Sequence, residues 1–192
     1  MKFTHRCFIS AGIALLCLSA SADERPNVLF IIADDASRDS MGAYGSTYIE
    51  TPNFDRIAKE GVLFTQAYNC NPKCAPARAC LLTGRYSWQL KEACNHNPFL
   101  SDEWAFYPFL LEDAGYFVGF TGKGWGPGIY RGIDGGPTRF KQLNPAGHPF
   151  NDKTSRPPYK GISNVDYGAN FEEFLNRRPE NKPFCFWLGT KE

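Results

Sequence analysis

The chain has 192 residues, with 21 Lys and Arg against 20 Asp and Glu, 43% apolar and 15% aromatic. A formal charge of +1 removes the usual electrostatic argument for a nucleic-acid binder, which needs a clustered basic face, and the apolar content excludes a disordered chain, because enough surface can be buried to offset ordering entropy. Three histidines, His5, His96 and His148, are too few for a centre built from several imidazoles, so what remains is a globular protein of about one domain.

Lys2 and Arg6 form a basic head before an apolar run from Cys7 to Ala20. The run is shorter than the roughly 20 residues of a membrane span and ends in Ala20-Ser21-Ala22 ahead of charged Asp23-Glu24-Arg25. Residues 1–22 therefore read as a secretory signal cleaved before Asp23. The expectation is an exported protein, periplasmic or secreted, with no stable membrane anchor. Cys7 and Cys17 leave with the signal, and Cys70, Cys74, Cys80, Cys94 and Cys185 remain. Export permits disulfides, but an odd count leaves one thiol with another fate. Those cysteines with His96 lack the paired, regular spacing of structural zinc.

Asn27 to Ala33 is a continuous apolar run, the pattern of a strand buried on both faces, and it stops at Asp34-Asp35. A helix follows, capped by Thr51, with Pro52 in its first turn, Phe54, Ile57 and Ala58 on one face, and Gly61 as a left-handed terminator. Val62 to Tyr68 reads as a strand. A short helix starts near Pro76 and runs to Thr83-Gly84, and another spans Glu103 to Asp113, ending at Gly115. Tyr116 to Thr121 reads as a strand, Tyr167 to Arg177 as a helix, and Phe184 to Leu188 as a final strand. From Gly122 to Tyr159, glycines and prolines erase any period, which predicts a long loop facing substrate beside Lys123. Alternating strands and helices imply an α/β fold, a mostly parallel sheet flanked by helices.

Two adjacent carboxylates at a strand's carboxyl end, Asp34 and Asp35, lie where α/β sheets gather ligands and suit a hard divalent ion; a solvated turn is the other reading. Cys74, two residues before Pro76, falls at the positive end of a helix dipole, and Arg78, four residues on, returns to the same side. A buried structural cysteine would look the same. A tyrosine-phosphatase loop would need five residues between Cys and Arg, and neither Cys74–Arg78 nor Cys80–Arg85 provides them.

Four segments together resemble the type I sulfatases: Arg-Pro-Asn-Val-Leu-Phe-Ile-Ile-Ala-Asp-Asp (25–35), Thr-Pro-Asn-Phe-Asp (51–55), Cys-Ala-Pro-Ala-Arg through Leu-Thr-Gly-Arg (74–85) and Thr-Gly-Lys (121–123). The overall look is nearest the heparan N-sulfatase-like branch. The resemblance implies an alkaline-phosphatase-like fold and an enzyme that removes sulfate from sulfated carbohydrate, as O-sulfate or N-sulfate. It also implies that a maturation enzyme converts Cys74 to formylglycine, whose hydrate attacks sulfur through one hydroxyl and expels sulfate through the other. Asp34, Asp35 and an oxygen of modified Cys74 would bind Ca2+ or Mg2+. Arg78 would hold the diol, and Lys123 would contact a sulfate oxygen.

Departures from the family pattern matter. Many members carry His two residues after the lysine, whereas Lys123 is followed by Gly124 and Trp125. Trp125 could offer an aromatic wall to a sugar ring, a buried core Trp being at least as good a reading, and His96 is a further candidate for substrate contact, against the better reading of a surface-loop histidine. Family members are longer, with further acidic and Asn metal ligands and a histidine beyond the position of Glu192. Residues 23–192 are thus expected to be the incomplete N-terminal portion of a sulfatase catalytic domain, of low or no activity alone. Rival readings are a metal-dependent phosphodiesterase or phosphatase of the same superfamily, and an inactive remnant that binds sulfated glycan.

Overall fold

The computed structural model describes residues 25–138 and 144–191; the expected signal at 1–22 lies outside them. Element order is β1 (Val28–Ala33), α1 (Pro52–Glu60), α2 (Cys74–Thr83), β2 (Phe99–Ser101), α3 (Tyr107–Asp113), β3 (Phe117–Gly122), β4 (Ile129–Arg131), α4 (Tyr167–Arg177) and β5 (Phe184–Thr190). The last strand inserts between the first and third. The main sheet is ordered β1-β5-β3, both pairings are parallel, and the register sets Val28 and Val118 beside Cys185. Strands that far apart in sequence can meet in parallel because helical crossovers return the chain to the same edge.

Period-2 alternation divides the sheet's side chains between two cores. Phe30, Ile32, Phe120 and Trp187 pack with Ala75, Ala79 and Leu82 of α2 and Phe109 of α3. On the other face, Phe174 of α4 meets Phe150 and Phe186, with Phe117, Phe171 and Phe184 around them. Asp166 caps α4 by accepting the Ala169 amide at 2.9 Å, satisfying one of the amides a helix start leaves free. Buried Asn170 then bonds both backbone groups of Lys153, at 3.0 and 2.9 Å. That ties the long connection to the helix.

Several expectations are corrected. β1 is not buried on both faces: Leu29 and Ile31 are 42% and 55% exposed, because α4 covers β3 and β5 but does not reach this edge strand. Residues 62–68 form no strand. A strand needs a ladder partner, and here side chains take the carbonyls instead, Tyr44 donating to Phe64 at 2.9 Å and Arg38 to Thr65 at 3.5 Å. Thr51 does not cap α1; its hydroxyl donates to Asp55 and accepts the Gly42 amide. Gly61 ends that helix at φ −114°, outside the left-handed region. α3 starts at Tyr107 rather than near 103, Pro108 falling in its first turn, where a missing N–H costs nothing. The Gly122–Tyr159 stretch is not structureless: β4 pairs with β2, and Trp125, Ala146 and Phe150 are buried.

Candidate active site

Parallel strands end on a common edge, and the candidate residues converge there. β1 delivers Asp34, whose amide donates to Thr190 O on β5 at 3.4 Å. β3 delivers Lys123, whose amide donates to Gly189 O at 2.8 Å. The two backbones touch closely at this point. A Cβ added to Gly122 would lie 2.0 Å from Gly189 O, and one added to Gly189 would lie 2.1 Å from Lys123 O. Only glycine permits that approach, and Gly122 also has φ +72°.

α2 points its first turn at the same edge, with Lys73 extended ahead of it and no side chain capping it. The free amides and the dipole of that turn favour negative charge in front of Cys74. Cys74 is half-buried and Asp35 exposed. One ligand atom from each of Asp34, Asp35 and Cys74 lies within 4.8 Å of the others. Among the described residues this is the one cluster of three or more such donors, so the remaining cysteines and His96 assemble no zinc knuckle. Asp35 reaches the cluster with φ 55°, a left-handed conformation that Asp tolerates better than most residues.

Arg78 is 1% exposed and ties α2 to the backbone after β3 and to the side chain of Asp34. Its Nη1 donates to the Lys123 and Gly124 carbonyls at 2.6 and 2.8 Å, and its Nη2 to Asp34 Oδ1 at 3.1 Å. The Lys123 ammonium pairs with Asp34 Oδ2. Burial alone would raise the Asp34 carboxyl, but hydrogen bonds from Lys123 and Arg78 outweigh it and hold the group below its ordinary value. Burial would likewise lower Lys123, yet hydrogen bonds to Asp34 and Cys74 hold its ammonium above the usual range. The edge is thus a charged constellation: two carboxylates, two fixed cations and one sulfur.

Trp125 does not offer a face to a ligand. It is 6% exposed, packs in the α2 core and donates its indole N–H to Ala75 O at 3.1 Å. The expectation of a sugar-facing wall is corrected on that ground: the ring buttresses the first turn of α2. His96 lies exposed in the loop after Cys94, with no hydrogen bond to the cluster among the described residues.

Two positioning residues escaped sequence reasoning. Asn144 accepts the Trp125 and Ala146 amides at 2.9 and 3.0 Å and donates to Trp125 O at 2.9 Å. Asn151 accepts the Gly122 amide at 2.7 Å and the Thr121 hydroxyl at 3.2 Å. Together they fix the chain on either side of Lys123. Asn144-Pro145-Ala146-Gly147 does carry an Asx-turn signature; nothing local marks Asn151.

Comparison with known proteins gives a consistent picture. The family model described as Sulfatase matches residues 26–192. An N-acetylglucosamine-6-O-sulfatase of Bacteroides thetaiotaomicron is 33% identical over 188 residues, covering 93% of this chain and 34% of that protein. The human N-acetylgalactosamine-6-sulfatase is 37% identical over 117 residues, 55% of this chain and 22% of its own. A solved structure in complex with its substrate D-glucosamine-2-N,6-O-disulfate superposes with a TM-score of 0.59 at 28% identity, covering 86% of this chain and 34% of that one. A phosphonate monoester hydrolase of Agrobacterium radiobacter shares the fold, at TM-score 0.59 and 20% identity. The chain spans about a third or less of the length of these curated relatives.

Proposed function

This chain belongs to the sulfatase family, and from that premise we propose that it carries the nucleophile-bearing part of an exported sulfuric ester hydrolase acting on sulfated carbohydrate. The observation that carries the reading is the convergence of Asp34, Asp35 and Cys74 within 4.8 Å at the mouth of α2, backed by Arg78 and Lys123.

The donor set supports a modified Cys74. Two carboxylates are hard oxygen ligands suited to Ca2+ or Mg2+, whereas a thiolate is a soft ligand suited to other metals. Exchanging the sulfur for oxygen makes the set uniform, as formylglycine produced by a maturation enzyme would. Its hydrate supplies an oxygen nucleophile that can later return to the aldehyde and release what it took. Asp34 and Asp35 hold the divalent cation. Arg78, locked by three acceptors, keeps Asp34 ionised and fixes a positive charge beside it. Lys123, within hydrogen-bonding reach of both Asp34 and Cys74, neutralises an oxygen of the incoming sulfate monoanion. Cations fixed in advance lower the barrier because no reorganisation is needed as charge shifts onto the leaving oxygen. The rival phosphodiesterase reading is weaker, because it leaves a cysteine in a modification motif unexplained.

The relatives named above act, by their names, on 6-O-sulfated N-acetylhexosamines, which favours a 6-O-sulfated hexosamine over an N-sulfate. Mass spectrometry of the Cys74 peptide from exported protein tests the reading: formylglycine, lighter than cysteine, is expected, and a quantitatively unmodified thiol overturns it. Release of sulfate from 6-O-sulfated N-acetylglucosamine, compared with N-sulfated glucosamine, separates the two linkages.

A further inference from the structure

Cys70 and Cys80 have no part in the cluster above. They flank Cys74 on its two sides, and both line one cavity between residues 67–70 and the far end of α2, together with Tyr68, Leu81 and Tyr86. Cys70 is exposed and Cys80 buried. We infer that Cys70 and Cys80 are the two halves of a disulfide that staples the loop entering α2 onto that helix's later turns, enclosing Cys74 and Arg78 in the ring so formed.

Three observations carry this. Both cysteines line the same cavity on the flank of α2, and the chain entering the helix is anchored there by Asn71, which donates to Cys94 O at 2.8 Å. Burial first, then the neighbouring Cys70, pushes the Cys80 thiol up to about 12. Cys74, the nearest competitor in sequence, has its sulfur committed to the opposite end of the helix, beside Asp34, Asp35 and Lys123.

Accessibility sets the order of events. The exposed Cys70 thiolate attacks a small disulfide donor such as glutathione disulfide, forming a mixed disulfide and releasing one glutathione thiol. Cys80 then gives up its proton and displaces the second glutathione. Two protein thiols are oxidised by two electrons, one donor disulfide is reduced, and both protons end on glutathione. The inference rests on the proposed export only for where the donor is met; the geometry is a property of the chain.

Tryptic mapping without reduction tests it on the full chain after equilibration with glutathione disulfide. Cleavage after Lys59, Lys73, Arg78 and Arg85 separates Glu60–Lys73, Cys74–Arg78 and Ala79–Arg85. The expected result is Glu60–Lys73 joined to Ala79–Arg85, a species that disappears on reduction and in Cys70→Ser. Recovery of both as separate alkylated peptides, or of Glu60–Lys73 joined to the Cys94 peptide, overturns the inference. The Cys74–Arg78 peptide is read in the same experiment, so an unmodified Cys74 counts against the hydrolase reading without touching the staple.

Discussion

Arg78 Nη2 stands 3.1 Å from Asp34 Oδ1, joining a helix to the end of a strand 44 residues earlier. Side-chain exposures of 2% and 12% make this a buried ion pair, for which loss of one partner costs far more than the pair itself contributes. Asp34→Asn is expected to destabilise the chain by about 3 kcal/mol, because Arg78 and Lys123 lose their shared counter-charge. The pH dependence has a definite sign. Asp34 is held below its ordinary 3.8, so its contribution is present above that value and is lost as pH falls through the lower folded value. Urea unfolding at about pH 7 and about pH 3 should show a large difference between wild type and variant that shrinks in acid.

Calcium should raise the thermal midpoint of the chain. Three donors fall short of the roughly six to eight oxygens calcium prefers, so roughly millimolar metal will be needed. Asp35→Asn should remove the rise with little loss of basal stability, since Asp35 is exposed and Asn also accepts a left-handed backbone. An equal rise in that variant would place the ion elsewhere.

Trp125→Phe preserves a buried ring but removes the donor to Ala75 O. A loss of about 1 kcal/mol is expected from the missing hydrogen bond, measured by denaturant unfolding. Affinity for a sulfated hexosamine should not change, because the ring is already enclosed by the core.

Gly189→Ala would place a Cβ 2.1 Å from Lys123 O. The β3–β5 backbones must separate to accommodate it, at a cost of about 3 kcal/mol or more. Arg78 and Trp187 both donate to that same carbonyl, at 2.6 and 3.0 Å, so the lysine loop should also lose its register. Faster hydrogen exchange at the Lys123 and Phe150 amides would report it.

Much of the constellation was legible along the chain. Asp34-Asp35 after an apolar run, Cys74 ahead of Pro76 with Arg78 a turn later, and Lys123 after a strand are local patterns, and each depends on a strand or helix period that a few residues specify. The outlines of α4 and β5 were legible for the same reason, with strong aromatic periodicity between turn residues. Residues 62–68 misled because strand propensity is shared by any apolar run, while forming a strand requires an edge to pair with.

Sequence alone therefore determined which chemical groups this protein brings to its site, since identity and local period need no neighbours. Tertiary structure alone decided how they are used. It turned Trp125 inward to support α2, set Asn144 and Asn151 on either side of Lys123, and gave Asp34 two cations from different elements. The meeting of Asp34 with Lys123 follows from insertion of β5 between β1 and β3, a long-range pairing whose energy no local stretch contains.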